Sequence, residues 1–312
     1  MKIIDAHCDV LMKMYENENI HFDHHLFLDV TKSRLLKSNT LMQCFAIYIS
    51  EQINNPNIDH ILQYVYIFHD KVLKHNNFIH IKNKSDLKYA LTKNKTGAML
   101  TLEGVDALGG NLTYLRILYE LGVRCIGITW NYGNWAADGV LEPRGSSFSL
   151  KGKKLVEICN DLGIVLDVSH LNEKSFWDFT SFTNKPFIAS HSNVFDLCNH
   201  VRNLKKNQIT EIIKINGRIG LCFYPRFVNN SEDAYISDLL KHIEYVCELG
   251  GEHHLGFGSD FDGIDQCMND LRHTGDYITL KETLLKYYPE NIVEGFMYKN
   301  WFDFFEENLP NN

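Results

Sequence analysis

Short apolar runs rich in β-branched residues alternate with longer amphipathic ones along the chain. The short runs predict eight strands: Ile3–Val10, Leu41–Ile49, Gly97–Glu103, Val123–Trp130, Ile164–His170, Pro186–His191, Arg218–Tyr224 and Leu255–Asp260. Between them apolar positions recur at helical spacing, as at Ile61, Leu62, Val65, Phe68 and Val72 within Ile58–Lys74. Leu112–Leu121 and Leu150–Leu162 are similar and both stop at glycine. A longer pattern, Ser231–Leu249, opens on a serine cap and ends at Gly250-Gly251. Strand–helix alternation implies a parallel sheet, and eight repeats imply a closed (β/α)8 TIM barrel, an α/β fold; an open doubly wound sheet is the second choice. Thr279–Tyr287 and Glu290–Glu307 read as helices that close the barrel and pack on it. The stripe Trp301, Phe302, Phe304 and Phe305 reads as core, with a homodimer contact as the alternative.

Hydrophobic residues make up 45% of the chain, enough for a sizeable core, and no linker, repeat or low-complexity tract divides it. Residues 1–312 are therefore expected to form one barrel domain. Asp and Glu outnumber Lys and Arg by 39 to 31, giving a net charge of −8. A mildly acidic chain without a basic stripe argues against nucleic acid, although one well-placed arginine can still hold a small anion. The first strand begins at Lys2 or Ile3, leaving no room for a signal peptide, and no apolar stretch approaches a membrane span. Eight dispersed cysteines with no C-x-x-C pair speak against a disulfide framework and for a reducing cytoplasm.

Such barrels carry their chemistry at the C-terminal ends of the strands, so the residue that ends each strand matters. The first strand ends in Asp5-Ala6-His7-Cys8-Asp9-Val10. Alternation turns His7 and Asp9 to one face and Ile4, Ala6, Cys8 and Val10 to the other. The third strand ends in Glu103, the fifth in His170, the sixth in His191 and the eighth in Asp260. Any one of these is most simply structural. Five strand ends converging on one rim are not, because imidazole and carboxylate are ligands for a borderline divalent ion such as zinc. His7, His170 and His191 with Asp9 and Glu103 exceed the three protein ligands of one catalytic zinc, and suit two ions about 3.5–4 Å apart. Glu103, between the others in strand order, is the natural bridge. Asp260 is then spare, and a spare carboxylate beside an activated water is a candidate proton shuttle. His253 and His254 precede the eighth strand at the opposite mouth, and His60, His69, His75 and His242 fall in helices, so all six read as structural. The tract His21-Phe22-Asp23-His24-His25 reads as a solvated or substrate-facing loop.

Five motifs together resemble those of the membrane (renal) dipeptidase family of zinc peptidases, a branch of the amidohydrolase-like barrels. They are the H-x-D of Asp5–Asp9, Glu103-Gly104, Asp167-Val168-Ser169-His170, Ser190-His191-Ser192 and Gly258-Ser259-Asp260-Phe261-Asp262-Gly263. The resemblance covers nearly the whole chain. It implies two zinc ions, one held by His7 and Asp9 and the other by His170 and His191, with Glu103 bridging. It also implies that Arg202 binds the terminal carboxylate of a dipeptide, a bidentate task that suits guanidinium, and that Tyr224 lines the same pocket. Mammalian members carry a histidine after the fourth strand that contacts the scissile carbonyl; here Trp130 stands there, in Ile128-Thr129-Trp130-Asn131-Tyr132. Trp130 is expected to shape the pocket while the neighbouring Asn131 donates its amide to the developing oxyanion. Mammalian members are secreted and lipid-anchored, whereas this chain looks like the shorter soluble prokaryotic type, without a membrane partner. The implied reaction is hydrolysis of a dipeptide. Another amide, lactam or ester hydrolysis on the same metals, or a metal-binding barrel without turnover, is the alternative.

Overall fold

The computed structural model describes every residue except His25 and Asn312. The strands are β1 (Ile3–Asp5), β2 (Thr40–Tyr48), β3 (Phe78–His80), β4 (Thr96–Glu103), β5 (Val123–Gly127), β6 (Val165–Asp167), β7 (Ile188–Ala189), β8 (Arg218–Leu221) and β9 (Leu255–Phe257). Eight of them run parallel in the order β2-β1-β9-β8-β7-β6-β5-β4, and β4 returns to β2 from Met42↔Gly97 to Tyr48↔Glu103. That pairing closes the sheet into a (β/α)8 barrel. β3, absent from the sequence expectation, is a short addition that pairs with residues 96–98 of β4, before β5 joins it at Leu100.

Most strands end earlier than their apolar patterns imply. β1 stops at Asp5 rather than Val10, β6 at Asp167 rather than His170, β7 at Ala189 rather than His191, and β9 at Phe257 rather than Asp260. The cause is local. His170 and Asp260 adopt left-handed backbone, with φ of 72° and 64°, which no strand accommodates. The amides of Ser190 and Ser259 are claimed by the carboxylates of Asp167 and Asp5, each bond 2.9 Å long. The residues that carry the chemistry therefore sit on short loops just beyond the strands.

The helices Leu112–Leu121 and Leu150–Leu162 match expectation, each stopped by a left-handed glycine (Gly122, φ 103°; Gly163, φ 73°). The Ser231 cap is a correction: the helix starts at Ile236, while Ser231 makes a local turn with Asn229 and Asp233. There Asp238 accepts the Tyr235 amide. The first helical pattern is helical over Ile58–Ile67 and widens into a π-type turn at Phe68–Leu73. The closing helices are Tyr277–Leu284, Glu290–Glu294 and Asn300–Asn308. Among the described residues no helix is long and apolar enough to cross a membrane.

One apolar layer lies between the ring and its helices. A second fills the barrel, with Ile4, Met42, Met99, Cys125, Val165 and Ile188 packed against Trp301, Phe302, Phe304 and Phe305. The aromatic stripe is thus core. Asn300 Nδ2 donates to the carbonyls of Glu252 and Leu255 at 2.9 and 2.7 Å, which fixes this helix at the N-terminal mouth, away from the loops that carry the site. Trp301 is fully buried and donates to the Phe257 carbonyl at 3.2 Å. A Cβ on Gly256 would lie 2.2 Å from Trp301 Nε1. Gly256→Ala is therefore expected to lose about 1–3 kcal/mol of stability through overpacking. A lower urea midpoint at unchanged slope is the readout, and an unchanged midpoint would show that the indole can move aside.

Candidate metal centre

The backbone beyond β1 brings His7 and Asp9 over the barrel mouth before the helix Val10–Glu16 begins. Cys8 points away, its thiol donating to the Cys44 carbonyl at 3.2 Å. Glu103 ends β4, and His170 and His191 lie just past β6 and β7. All five side chains are buried and meet at one place. Glu103 Oε1 is 2.8 Å from His170 Nε2 and 3.5 Å from His191 Nε2, while Oε2 is 3.5 Å from His7 Nε2. His7 Nε2 is 3.3 Å from Asp9 Oδ2 and 3.8 Å from Asp260 Oδ1. Three overlapping groups could hold a cation: His7–Asp9–Glu103, Glu103–His170–His191 and His7–His191–Asp260. Glu103 joins the first two through different oxygens, which is the arrangement a bridging carboxylate needs. Gly263 makes room beside them, since a Cβ there would lie 2.2 Å from Asp9 Oδ2.

The donor set fits metal ions and fits poorly without them. His7 Nε2 and Asp9 Oδ1 are buried without a hydrogen-bond partner, despite their close neighbours, because the groups surround a point rather than aim at one another. His170 Nε2 and His191 Nε2 face each other at 2.9 Å. His170 Nδ1 lies 2.8 Å from Asn131 Oδ1, an acceptor, so the ring proton sits on Nδ1 and the Nε2 lone pair points inward. That inward lone pair is available to ligate a cation.

The charges agree. Burial opposes a charged His7, but the Glu103 and Asp9 carboxylates raise it well above its usual value. Burial, together with Arg202, lowers His170 to about 3, and burial holds His191 well below its usual value. Burial pushes Asp260 up to about 8, with Asp9 and Glu103 reinforcing it against His7 and Arg202.

The remaining expected residues divide. Arg202, in the loop after β7, is buried with Nε unpartnered, Nη2 3.4 Å from the His191 carbonyl, and the guanidinium 5.5 Å from the Phe227 ring centre. Arg202 and His170 line one cavity of about 360 Å³. Trp130 and Glu103 line another of about 300 Å³, and the indole lies 5.9 Å from the His170 ring and 5.2 Å from that of Tyr48. Asn131 holds His170 through its side-chain oxygen, so it stands beside that imidazole, and this bond does not use its Nδ2 donor. Tyr224 is partly buried. Its ring packs edge-on against Phe227 at 4.9 Å, and burial and the bond to Asp265 push its phenol up to about 12. It therefore braces the ring beneath Arg202.

Four participants escaped the sequence reading: Phe227 under Arg202, Gly263 beside Asp9, Cys222, whose thiol lies 3.6 Å from Asp260 Oδ2, and the Asp5–Ser259 pair. Only the last and Gly263 had a visible signal, in the D-x-H and G-S-D-F-D-G motifs. In the expected solvated tract, Phe22 is buried against Phe45 and Phe78, His21 and His24 are exposed, and His25 lies outside the described residues.

A family model described as membrane dipeptidase (Peptidase family M19) matches residues 1–309. An uncharacterized protein in the pqqA 5′ region of Klebsiella pneumoniae is 32% identical over 211 residues, covering 64% of this chain and 78% of that protein. Dipeptidase aclJ of Aspergillus oryzae is 28% identical over 316 residues, covering 91% and 72%. A solved metallopeptidase from Rhodobacter sphaeroides, liganded with a phosphinate mimic of the dipeptide L-Ala-D-Ala, superposes with a TM-score of 0.90 at 24% identity, covering 99% of each chain. At that identity the last likeness speaks for the fold alone.

Proposed function

The chain belongs to the membrane dipeptidase family of metallopeptidases, and on that premise we propose that it hydrolyses dipeptides with two divalent ions, most simply zinc. The observation that carries this reading is Glu103, whose two oxygens face different imidazoles inside one buried cluster. His7 and Asp9 would hold one ion and His170 and His191 the other, with Glu103 between. Ions so placed would acidify a water and polarise the scissile carbonyl.

The chain's own groups supply the rest. Arg202 receives the C-terminal carboxylate in the 360 Å³ cavity, which places the peptide bond over the cluster. Asp260 takes a proton from the attacking water and returns it to the leaving amine. Trp130 shapes the cavity on the other side, and Asn131 keeps His170 in its inward-facing tautomer.

The test combines metal analysis with a dipeptide screen. Mild dialysis is expected to leave close to two zinc ions per chain, and the zinc-loaded protein should cleave dipeptides with a free C-terminus, including those with a D-residue second. Absence of bound metal, with no uptake of added zinc, would sink the metal reading. Full metal with no dipeptide turnover would leave a binding barrel or a hydrolase of other amides.

A further inference from the structure

Asp167, at the end of β6, accepts three hydrogen bonds. Its Oδ1 takes the amides of Ser169 and Ser190, both at 2.9 Å, and its Oδ2 takes the Ser190 hydroxyl. Ser190 Oγ also lies 2.7 Å from His191 Nδ1. All four residues are buried, so bulk water does not compete for these bonds.

The chain of protons has one direction. A carboxylate accepts only, and a hydroxyl has one proton. With that proton given to Asp167, Ser190 Oγ can only accept from His191. The ring proton must then sit on Nδ1, and the lone pair on Nε2, the atom that faces Glu103 and His170. The hydroxyl is committed between carboxylate and imidazole, so Ser190 is not a nucleophile. We propose that Asp167 and Ser190 are positioning residues that lock His191 in the Nδ1–H tautomer, the only neutral form able to ligate through Nε2. The proposal rests on reading His191 as a metal ligand.

The fold contains its own control. Asp5 accepts the His7 amide at 3.2 Å, the Ser259 amide at 2.9 Å and the Ser259 hydroxyl at 2.6 Å, the same clamp between β1 and β9. There the other neighbours of the hydroxyl are the His7 carbonyl and the Phe261 amide, both at 3.2 Å, and neither is an imidazole. Stitching two strands together is common to both clamps. Of the two clamps, that of Asp167 is the one that reaches an imidazole and so sets a tautomer.

Asp167→Asn inverts the chain. The two backbone amides hold the new side-chain oxygen where Oδ1 was, so the amide nitrogen takes the place of Oδ2 and donates to Ser190. The hydroxyl then donates to His191 Nδ1, and the ring proton moves to Nε2, where it blocks ligation. Ser190→Ala removes the link without inverting it. Losing an outer partner of a metal ligand typically weakens metal binding about 10–100-fold. Asp167→Asn is expected near the upper end of that range and Ser190→Ala near the lower end.

Zinc affinity by chelator competition and 15N NMR of histidine-labelled, zinc-loaded protein are the measurements. Wild type should bind zinc and show His191 with its proton on Nδ1. Asp167→Asn should bind more weakly than Ser190→Ala and lose that signal, while Asp5→Asn keeps it. Asp167→Asn binding within about twofold of wild type, or a larger loss in Ser190→Ala, or an unchanged Nδ1–H signal in Asp167→Asn, would overturn the assignment. If Asp167→Asn does not fold, Ser190→Ala decides: weakened binding with mixed tautomers supports the lock, and wild-type affinity with pure Nδ1–H refutes it. Neither readout depends on turnover, and a wild-type protein that binds no zinc would instead refute the metal reading on which the proposal rests.

Discussion

Asp260→Asn is expected to lower turnover at least about a hundredfold, the scale of a lost general acid–base group, while most of the bound metal remains. The substitution suits the site. Asp260 sits at φ 64°, a left-handed conformation that asparagine also tolerates, and its amide donates to the His7 carbonyl at 3.2 Å, so the backbone has no reason to move. The amide preserves shape and removes the ability to carry a proton. The nearest rival is that Asp260 is chiefly a ligand, since His7, His191 and Asp260 could themselves surround an ion. Two measurements on one variant separate the roles. Metal content near wild type with turnover down a hundredfold or more assigns proton transfer. Loss of metal along with turnover makes Asp260 a ligand, and unchanged turnover removes it from the chemistry.

The barrel and its rim were legible for a simple reason. Buried parallel strands read as apolar runs, so His7, Asp9, Glu103, His170, His191 and Asp260 stood out as polar side chains at their ends. The early strand ends were not legible, because an apolar pattern does not reveal that Asp5 and Asp167 will take the amides of the neighbouring strand. The contact Asn131 makes with His170 was hidden for a related reason. Adjacency to Trp130 put it near the substrate, but the contact that orders its side chain is with His170, 39 residues away, and depends on the left-handed turn there. Tyr224 was drawn toward the pocket by its strand, and its partner Asp265 lies in a loop that no periodicity marks. Distances along the rim follow from loop geometry, which is the part of a barrel least determined by pattern.

Arg202→Ala and amidation of the substrate's C-terminus are expected to be redundant injuries. Arg202 is buried, its Nε has no partner, and a buried cation without a partner is costly. Asp260 attracts the guanidinium, whose Nη2 reaches only the His191 carbonyl, at 3.4 Å, among the described residues. A substrate carboxylate entering the shared cavity with His170 would complete the guanidinium's fork and fix the distance from the C-terminus to the scissile bond. Each perturbation alone should therefore lower kcat/KM by about 2–5 kcal/mol, the range for breaking a buried charge pair, and together they should cost little more than one. The cycle needs four rates: wild type and Arg202→Ala, each on a dipeptide and on its amide. Because Nη2 also reaches the His191 carbonyl, zinc affinity of the variant must be measured alongside. Unchanged affinity with a strongly non-additive cycle places Arg202 on the carboxylate. Additive losses would place it elsewhere, and a fall in zinc affinity that accounts for the whole effect would make it a support for His191 instead.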